Sequence, residues 1–335
     1  MKGYGVLRKS EGKQTDALMR HLRDNKHINI NGSKQKKELL SMGYYHGYKG
    51  YRFIKNSGNP IAYTDFNQLL AVYTFDMNLK ALFYSPIMTI ETALKNYTID
   101  TLAFFSKQNN LDIEYAFKNF LDDYKSEPVG SRNYNIKMKD RLKLRSKIDN
   151  EMSYKYSKNE IVTHFLHNGD SMPLWALFEI LDMGNFGLFL KCLNQTIKIK
   201  NCQNLKLTHG SMVTDGTLVQ NIIFCLKELR NSVAHNNVIF DCRFAGNTHA
   251  TNAVKAYVNV ETGISNVDFT FLIDYFILII LLLKKLGKTK TELRRIVKSF
   301  SDEAQVLKAT IPNSLYDSIL GTNLNTKLSG LSSYI

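Results

Sequence analysis

The sequence predicts a mostly α-helical protein. Three observations carry that expectation: apolar residues recur at spacings near 3.6 over long stretches, Pro is scarce at 5 of 335 positions, and few hairpin signals or internal repeats occur. A content of 44% hydrophobic and 11% aromatic residues suffices for one large domain or two ordinary ones, and excludes a disordered or collagen-like chain. Met1-Lys2-Gly3-Tyr4-Gly5 opens the chain without an apolar signal region, so a cytoplasmic location is expected. The longest apolar run, Phe269 to Leu283, has Asp274 in its middle and falls short of the ~18 residues of a bilayer crossing; it reads as a buried helix, with no membrane partner. Cys192, Cys202, Cys225 and Cys242 are spaced irregularly, which fits reduced core thiols and neither a zinc knuckle nor a disulfide scaffold.

The elements follow in order. Residues 1–60 form a basic segment, with twelve Lys or Arg against four Asp or Glu in the first 52 positions, a short helix at about 34–41, and a Tyr- and Gly-rich run from Met42 to Phe53. Aromatics interleaved with cations suit base stacking and phosphate contact; a Tyr-rich turn packed on the core is the other meaning. From Thr64-Asp65, a helix carries Phe66, Leu69, Leu70, Tyr73, Met77 and Phe83 to about Tyr84. Ser85-Pro86 is expected to break it and start a second helix bearing Ile87, Ile90, Leu94 and Tyr97. A charged insertion at about 107–160 alternates Lys137, Lys139, Arg141, Lys143, Arg145 and Lys147 with other residues. The run is read as helical, either a solvated face or a contact for an RNA backbone. Pro173 to Leu181 predicts a buried helix stopped by Gly184-Asn185 and Gly187. A polar connection to about 216, a helix from Thr217, an irregular segment at 238–268, and helices at 268–286 and 289–308 complete the pattern. The expected domains are the 1–60 segment, a helical body at 61–310 and a 311–335 tail.

The formal charge of +14, from 44 Lys and Arg against 30 Asp and Glu, favours a polyanionic partner, of which RNA is the commonest in cytosol. Chemistry is best carried by Leu229-Arg230-Asn231-Ser232-Val233-Ala234-His235-Asn236 at the end of the Thr217 helix. At about 100° per residue, Leu218, Val219, Ile222, Ile223, Leu226, Leu229 and Val233 form the core stripe, while Asn231 and His235 lie on the opposite side and Arg230 at the border. Phe224 shares that polar side, which suggests that a second subunit covers the face. An imidazole can take or give a proton near neutral pH, and a guanidinium can clamp a phosphate, so this trio suits RNA cleavage without metal. One histidine serves poorly as acid and base at once, which points to two copies related by a twofold axis. A helix-end histidine favoured by the C-terminal dipole is the plain alternative. Nucleotide-binding loops, zincin motifs and nucleophile elbows are missing from the sequence, and His164, His167 and Asp170 lack further ligands, so neither metal nor cofactor is expected.

These residues resemble a known family. Arg230-Asn231-x-x-x-His235 is similar to the R-x4-6-H signature of HEPN ribonucleases, and the segment around it resembles the bacterial Abi proteins of the AbiD/AbiF-like abortive-infection group. Three further blocks fit in the same order: Leu40-x-x-Gly43-Tyr44-Tyr45 with Gly50-Tyr51; Tyr73-x-Phe75-Asp76-x-x-Leu79-Lys80 followed by Ile90-Glu91-x-x-Leu94-Lys95-Asn96; and Met172 to Glu179 with Gly184. The resemblance covers roughly residues 34–240. It implies an HEPN-like helical bundle, to which the pattern of the chain adds a basic N-terminal segment and extra C-terminal helices; it further implies a composite active site in a homodimer, and metal-independent endoribonuclease activity leaving a 2′,3′-cyclic phosphate. It also implies a toxin-like role in phage defence, and binding of a structured noncoding RNA. Carried over by position, Arg230, Asn231 and His235 are catalytic, with Glu91, Lys95 and Asn96 as site support. An HEPN-fold protein that holds a noncoding RNA with little or no cleavage is the alternative.

Overall fold

The structure, a computed structural model, describes residues 14–106, 111–208, 215–246 and 250–335. The first thirteen residues of the basic segment and residues 107–110 of the charged insertion lie outside it. Every regular element among the described residues is helical; extended pairing is limited to isolated bridges such as Asn29 with Asp65. Helices α1 (Thr15–Lys26) and α2 (Gly32–Met42) lead through a π-helical turn at Tyr44–Lys49 to α3 (Phe66–Phe105). Then come α4 (Ile113–Asn119), α5 (Arg132–Lys155), α6 (Glu160–Asn168), α7 (Leu174–Ile180), α8 (Met183–Cys192) and α9 (Gln195–Asn204). The chain ends with α10 (Leu218–Ala234), α11 (Asn252–Thr262), α12 (Leu272–Lys285), α13 (Lys290–Thr310), α14 (Asn313–Leu320) and α15 (Leu324–Tyr334).

Helix α3 is the axis of the fold. The Asp65 carboxylate caps it, accepting the Asn67 N–H at 2.7 Å, and the helix runs for 40 residues, about 60 Å. The break expected at Ser85-Pro86 does not occur, because Pro86 lies inside the helix. An interior proline costs roughly 3 kcal/mol. Burial on both sides of it outweighs that cost: Phe83, Ile87 and Ile90 are all fully buried in one core. Phe83 stacks with Phe276 of α12 and Phe300 of α13, and those two rings lie 4.4 Å apart.

The glycines expected to stop α7 lie inside α8. The stop comes earlier, at Leu181, and Asp182 starts the new helix by accepting the Asn185 N–H at 2.7 Å. Gly184 and Gly187 serve packing instead. A Cβ on Gly187 would come within 2.9 Å of the Phe224 ring, so its bare backbone is what lets α8 and α10 approach. Two further helices replace segments expected to be irregular. Helix α9 buries few apolar groups and holds itself to α3 through Asn201, which donates to the Thr98 hydroxyl at 3.0 Å. Helix α11 starts on the Thr251 cap and ends at Gly263 in the left-handed region, φ 70°.

Helix α12 is buried from Leu272 to Leu283, as an all-apolar helix must be. No helix among the described residues is long and apolar enough to cross a membrane. Its one acidic residue, Asp274, is fully buried and pairs with Lys327 of α15 at 2.5 Å. The other Asp274 oxygen accepts the N–H groups of Asp268 and Phe269. The same buried cluster takes in Leu22 and Ile30 near the start and Tyr316 and Leu331 near the end. All four cysteines are buried free thiols, and burial pushes Cys192 and Cys225 up to about 12, far from a reactive thiolate.

A capping box opens α13: Thr289 accepts the Glu292 N–H, and Glu292 accepts the Thr289 N–H. Hydrogen bonds from Lys288 and Thr289 hold the Glu292 carboxyl down at about 2. A depressed carboxyl stabilises the fold above its ordinary value of 4.5, and that contribution disappears as pH falls toward 2. The melting-temperature gap between the wild-type protein and Glu292→Gln is therefore expected to be constant above about pH 5 and to shrink below it. A gap that widens on acidification would contradict the assignment.

Candidate active site

The core stripe predicted for α10 is observed: Leu218, Val219, Ile222, Ile223, Leu226, Leu229 and Val233 are all buried. That burial fixes the rotation of the helix and leaves Asn231 and His235 on the outer side. The helix ends at Ala234. The His235 N–H still donates to the Asn231 carbonyl at 2.9 Å, and the chain then turns through Asn236 in the left-handed region, φ 56°. His235 is exposed, and its ring bonds to no side chain among the described residues. Arg230 is at the border, its side chain 22% exposed. Neither group is lost in the apolar interior, which is the condition for either to meet a substrate.

Arg230 is held rigidly. Its Nε donates to Glu91 Oε2 at 2.8 Å, and its Nη1 donates to Asn231 Oδ1 at 3.2 Å. Glu91 also takes Lys95 at 3.2 Å, and Lys95 donates to the Leu181 carbonyl at 2.8 Å, tying the group to the end of α7. One carboxylate thus faces two cations, which holds the guanidinium and the ammonium in place. These groups border an open depression of about 370 Å³ with Glu151, Lys155, Glu179 and Asp182 on its other walls. Glu91 and Lys95 therefore meet Arg230. Asn96 does not: it is exposed on the next face of α3 and makes no hydrogen bond to the cluster.

A second knot fixes the chain just after His235. Asp76, fully buried on α3, accepts the Tyr51 hydroxyl at 2.7 Å and the N–H groups of Ile239 and Phe240 at 2.8 and 2.7 Å, and pairs with Lys80 at 2.7 Å. Lys80, 6% exposed, donates in turn to Asn236 Oδ1 at 2.9 Å. Arg243, paired with the buried Asp241, reaches back to the carbonyls of Gly50 and Phe53. Sequence reasoning did not place Asp76, Lys80 or Asn236 at the site. A signal existed: Asp76 and Lys80 continue the buried stripe of Leu69, Val72, Phe75, Leu79 and Phe83, and charges four residues apart on an apolar face are those that must pair.

The six alternating cations all lie on α5, and helical geometry sorts them into two sets about 200° apart. Lys137, Arg141 and Arg145 turn inward. Lys137 pairs with Glu127 at 2.8 Å, Arg141 donates to the Phe117 carbonyl, and Arg145 forks onto Glu114 at 2.6 and 2.8 Å. That fork holds the Glu114 carboxyl below its usual range. Lys139, Lys143 and Lys147 are exposed. Lys143 and Lys147 line a depression of about 490 Å³ together with Lys191, Lys227, Phe224 and Asn231. Two of the outward set thus reach the motif on α10, and Lys139 does not.

His167 bonds to the Tyr156 hydroxyl at 3.0 Å and His164 to Asn168 at 3.4 Å. No group of three or more His, Cys, Asp or Glu able to hold a metal occurs among the described residues.

Compared with known proteins, the family model described as Abi-like protein matches residues 37–241, more than half of the chain and all of the groups just described except Arg243. No curated protein and no solved structure matches the chain.

Proposed function

The chain belongs to the Abi-like protein family, and from that premise we propose that it is an HEPN-like endoribonuclease of an abortive-infection system, acting on RNA in the cytoplasm of a phage-infected cell. The observation that carries the reading is the pairing of opposites across one helix end: an arginine locked by Glu91 and Asn231, and an exposed histidine five residues on with no side-chain partner among the described residues. A clamp has to be rigid and a proton carrier has to be reachable.

In the proposed reaction His235 accepts the proton of a ribose 2′-hydroxyl, and the 2′-oxygen attacks the neighbouring phosphorus. The bond to the 5′-oxygen breaks, and that oxygen takes a proton from the imidazolium of a second copy of the chain. The products are a 2′,3′-cyclic phosphate and a 5′-hydroxyl. Arg230 bears the charge developing on the phosphoryl oxygens, and Asn231 keeps its guanidinium in plane. Two copies meeting at the exposed His235 end of α10 supply the two imidazoles, so activity requires the homodimer; the Phe224 side of the helix is covered by α8 of the same chain. Lys143 and Lys147 would hold phosphates flanking the scissile one, beside Lys191 and Lys227, which pair with Asp140 and Glu228, and a structured noncoding RNA would be bound by the same surface as a regulator.

The test is cleavage of labelled RNA in EDTA by the wild-type protein and His235→Ala side by side. The wild-type protein is expected to leave cyclic-phosphate ends, and the variant to be slower by about 10²–10⁴-fold. Equal cleavage by both removes His235 from the mechanism. RNA retention that salt abolishes, without cleavage by either protein, would instead support a chain that only holds a noncoding RNA.

A further inference from the structure

The chain that follows His235 forms one wall of a second depression, of about 420 Å³, between the N-terminal segment and α3. Its lining includes Tyr45 and His46 from the π-helical turn, Tyr73 from α3, and Asn236 and Asn237. Three features set it apart from an ordinary surface hollow. Tyr45 is 76% exposed, with His46 edge-on beside it as its one ring neighbour among the described residues, at 5.9 Å. Tyr73 is fixed edge-on against the buried Tyr51 at 5.3 Å, so the opposite wall is rigid. And Asn236 in its wall is held from behind by the buried Asp76–Lys80 pair, whose ammonium donates to the Asn236 oxygen.

That last contact settles what Asn236 can offer. An ammonium only donates, so the Asn236 oxygen faces the buried Lys80 and the amide turns its N–H donors to the depression. An asparagine that presents both oxygen and nitrogen reads adenine with one acceptor and one donor; one whose oxygen is turned inward offers donors instead. On the edge that carries C6 of a purine or C4 of a pyrimidine, those donors suit the O6 and N7 of guanine or the O4 of uracil, whereas adenine and cytosine present an amino donor there.

We infer that this depression is the subsite for one unpaired keto base, guanine or uracil, of the RNA strand next to the cleaved linkage, with the base stacked on Tyr45 and its keto edge on the Asn236 amide. The inference rests on the nuclease reading for its place beside the reacting phosphate, but its chemistry is that of a base-binding site and is measurable without cleavage. Stacking on an exposed tyrosine supplies affinity for any base. Asn236 supplies the choice.

The experiment measures binding of short, unstructured, labelled oligoribonucleotides to the full chain carrying His235→Ala, by fluorescence anisotropy. Strands of uracil, or of adenine with one guanine, are expected to bind about tenfold more tightly than strands of adenine or cytosine alone. The two keto strands identify which base is preferred. Adding Asn236→Asp, which keeps an oxygen for Lys80 but removes the outward donors, should shrink that preference to about twofold or less. Adding Tyr45→Ala should weaken every strand by about tenfold, and Tyr45→Phe should leave binding unchanged. Binding indifferent to base, selectivity surviving Asn236→Asp, or tighter binding of an RNA duplex would overturn the inference. Cleavage by the unmutated protein, followed in parallel, separates the two readings. Keto-selective binding without any cleavage sinks the nuclease and leaves the subsite, whereas cleavage with base-blind binding does the reverse.

Discussion

Asp76→Ala is expected to lower the free energy of unfolding by about 3–5 kcal/mol, because it leaves Lys80 as an uncompensated buried charge. Asp76 is fully buried and serves four donors: the Tyr51 hydroxyl, the Lys80 ammonium and the N–H groups of Ile239 and Phe240. Urea unfolding of the two proteins under the same conditions measures the difference, and a loss below about 1 kcal/mol would mean that the knot is dispensable. The double variant Asp76→Leu, Lys80→Met should return only part of the loss, since removing both charges still orphans the two backbone N–H groups. Because those N–H groups anchor the chain just past His235, RNA cleavage in either variant should fail at temperatures where circular dichroism still reports a folded helical protein.

Lys327→Met is expected to cost a similar ~3–5 kcal/mol, by stranding the fully buried Asp274 in the first turn of the apolar helix α12. Burial pushes the Asp274 carboxyl up even with Lys327 beside it, and Lys327 is the chief group pulling it back down. Without Lys327 the folded-state value rises further above the unfolded one. An acid raised in this way destabilises the fold while ionised, and the penalty fades as pH falls through its folded value. The deficit of Lys327→Met relative to the wild-type protein should therefore be largest near neutral pH and smaller in mild acid. Adding Asp274→Asn removes the charge while keeping an acceptor for the N–H groups of Asp268 and Phe269. It should restore part of the stability and abolish the pH dependence. A deficit independent of pH would show that lost packing of the lysine stem, not the stranded charge, is the cause.

Much of this was legible from periodicity. The stripes on α3, α10 and α13 are long and one-sided and α12 is a nearly continuous apolar run, so the pattern alone places their helices and even the outward direction of His235. Pro86 misled because its local cost is a few kcal/mol, while the burial of Phe83, Ile87 and Ile90 around it is supplied by α12 and α13, which are distant in sequence. Gly184 and Gly187 misled for a related reason. Read locally they end a helix; against α10 they are the clearance for Phe224 and Lys227. Helix α9 was hidden because its hold on α3 is polar, through Asn201, Thr98 and Thr101.

By itself, the sequence determined that the chain is helical, that Arg230, Asn231 and His235 share the end of one helix, and that this helix turns them away from the core. These are short-range properties, set by residues within a few turns of one another and by the period of the α-helix. Only the tertiary structure decided which carboxylate holds Arg230, that Asp76 rather than a local cap fixes the chain after His235, and which three of the six alternating cations remain free. Those partners are separated by 10 to more than 160 residues, and a charge buried at one position leaves no local trace of the group that will neutralise it.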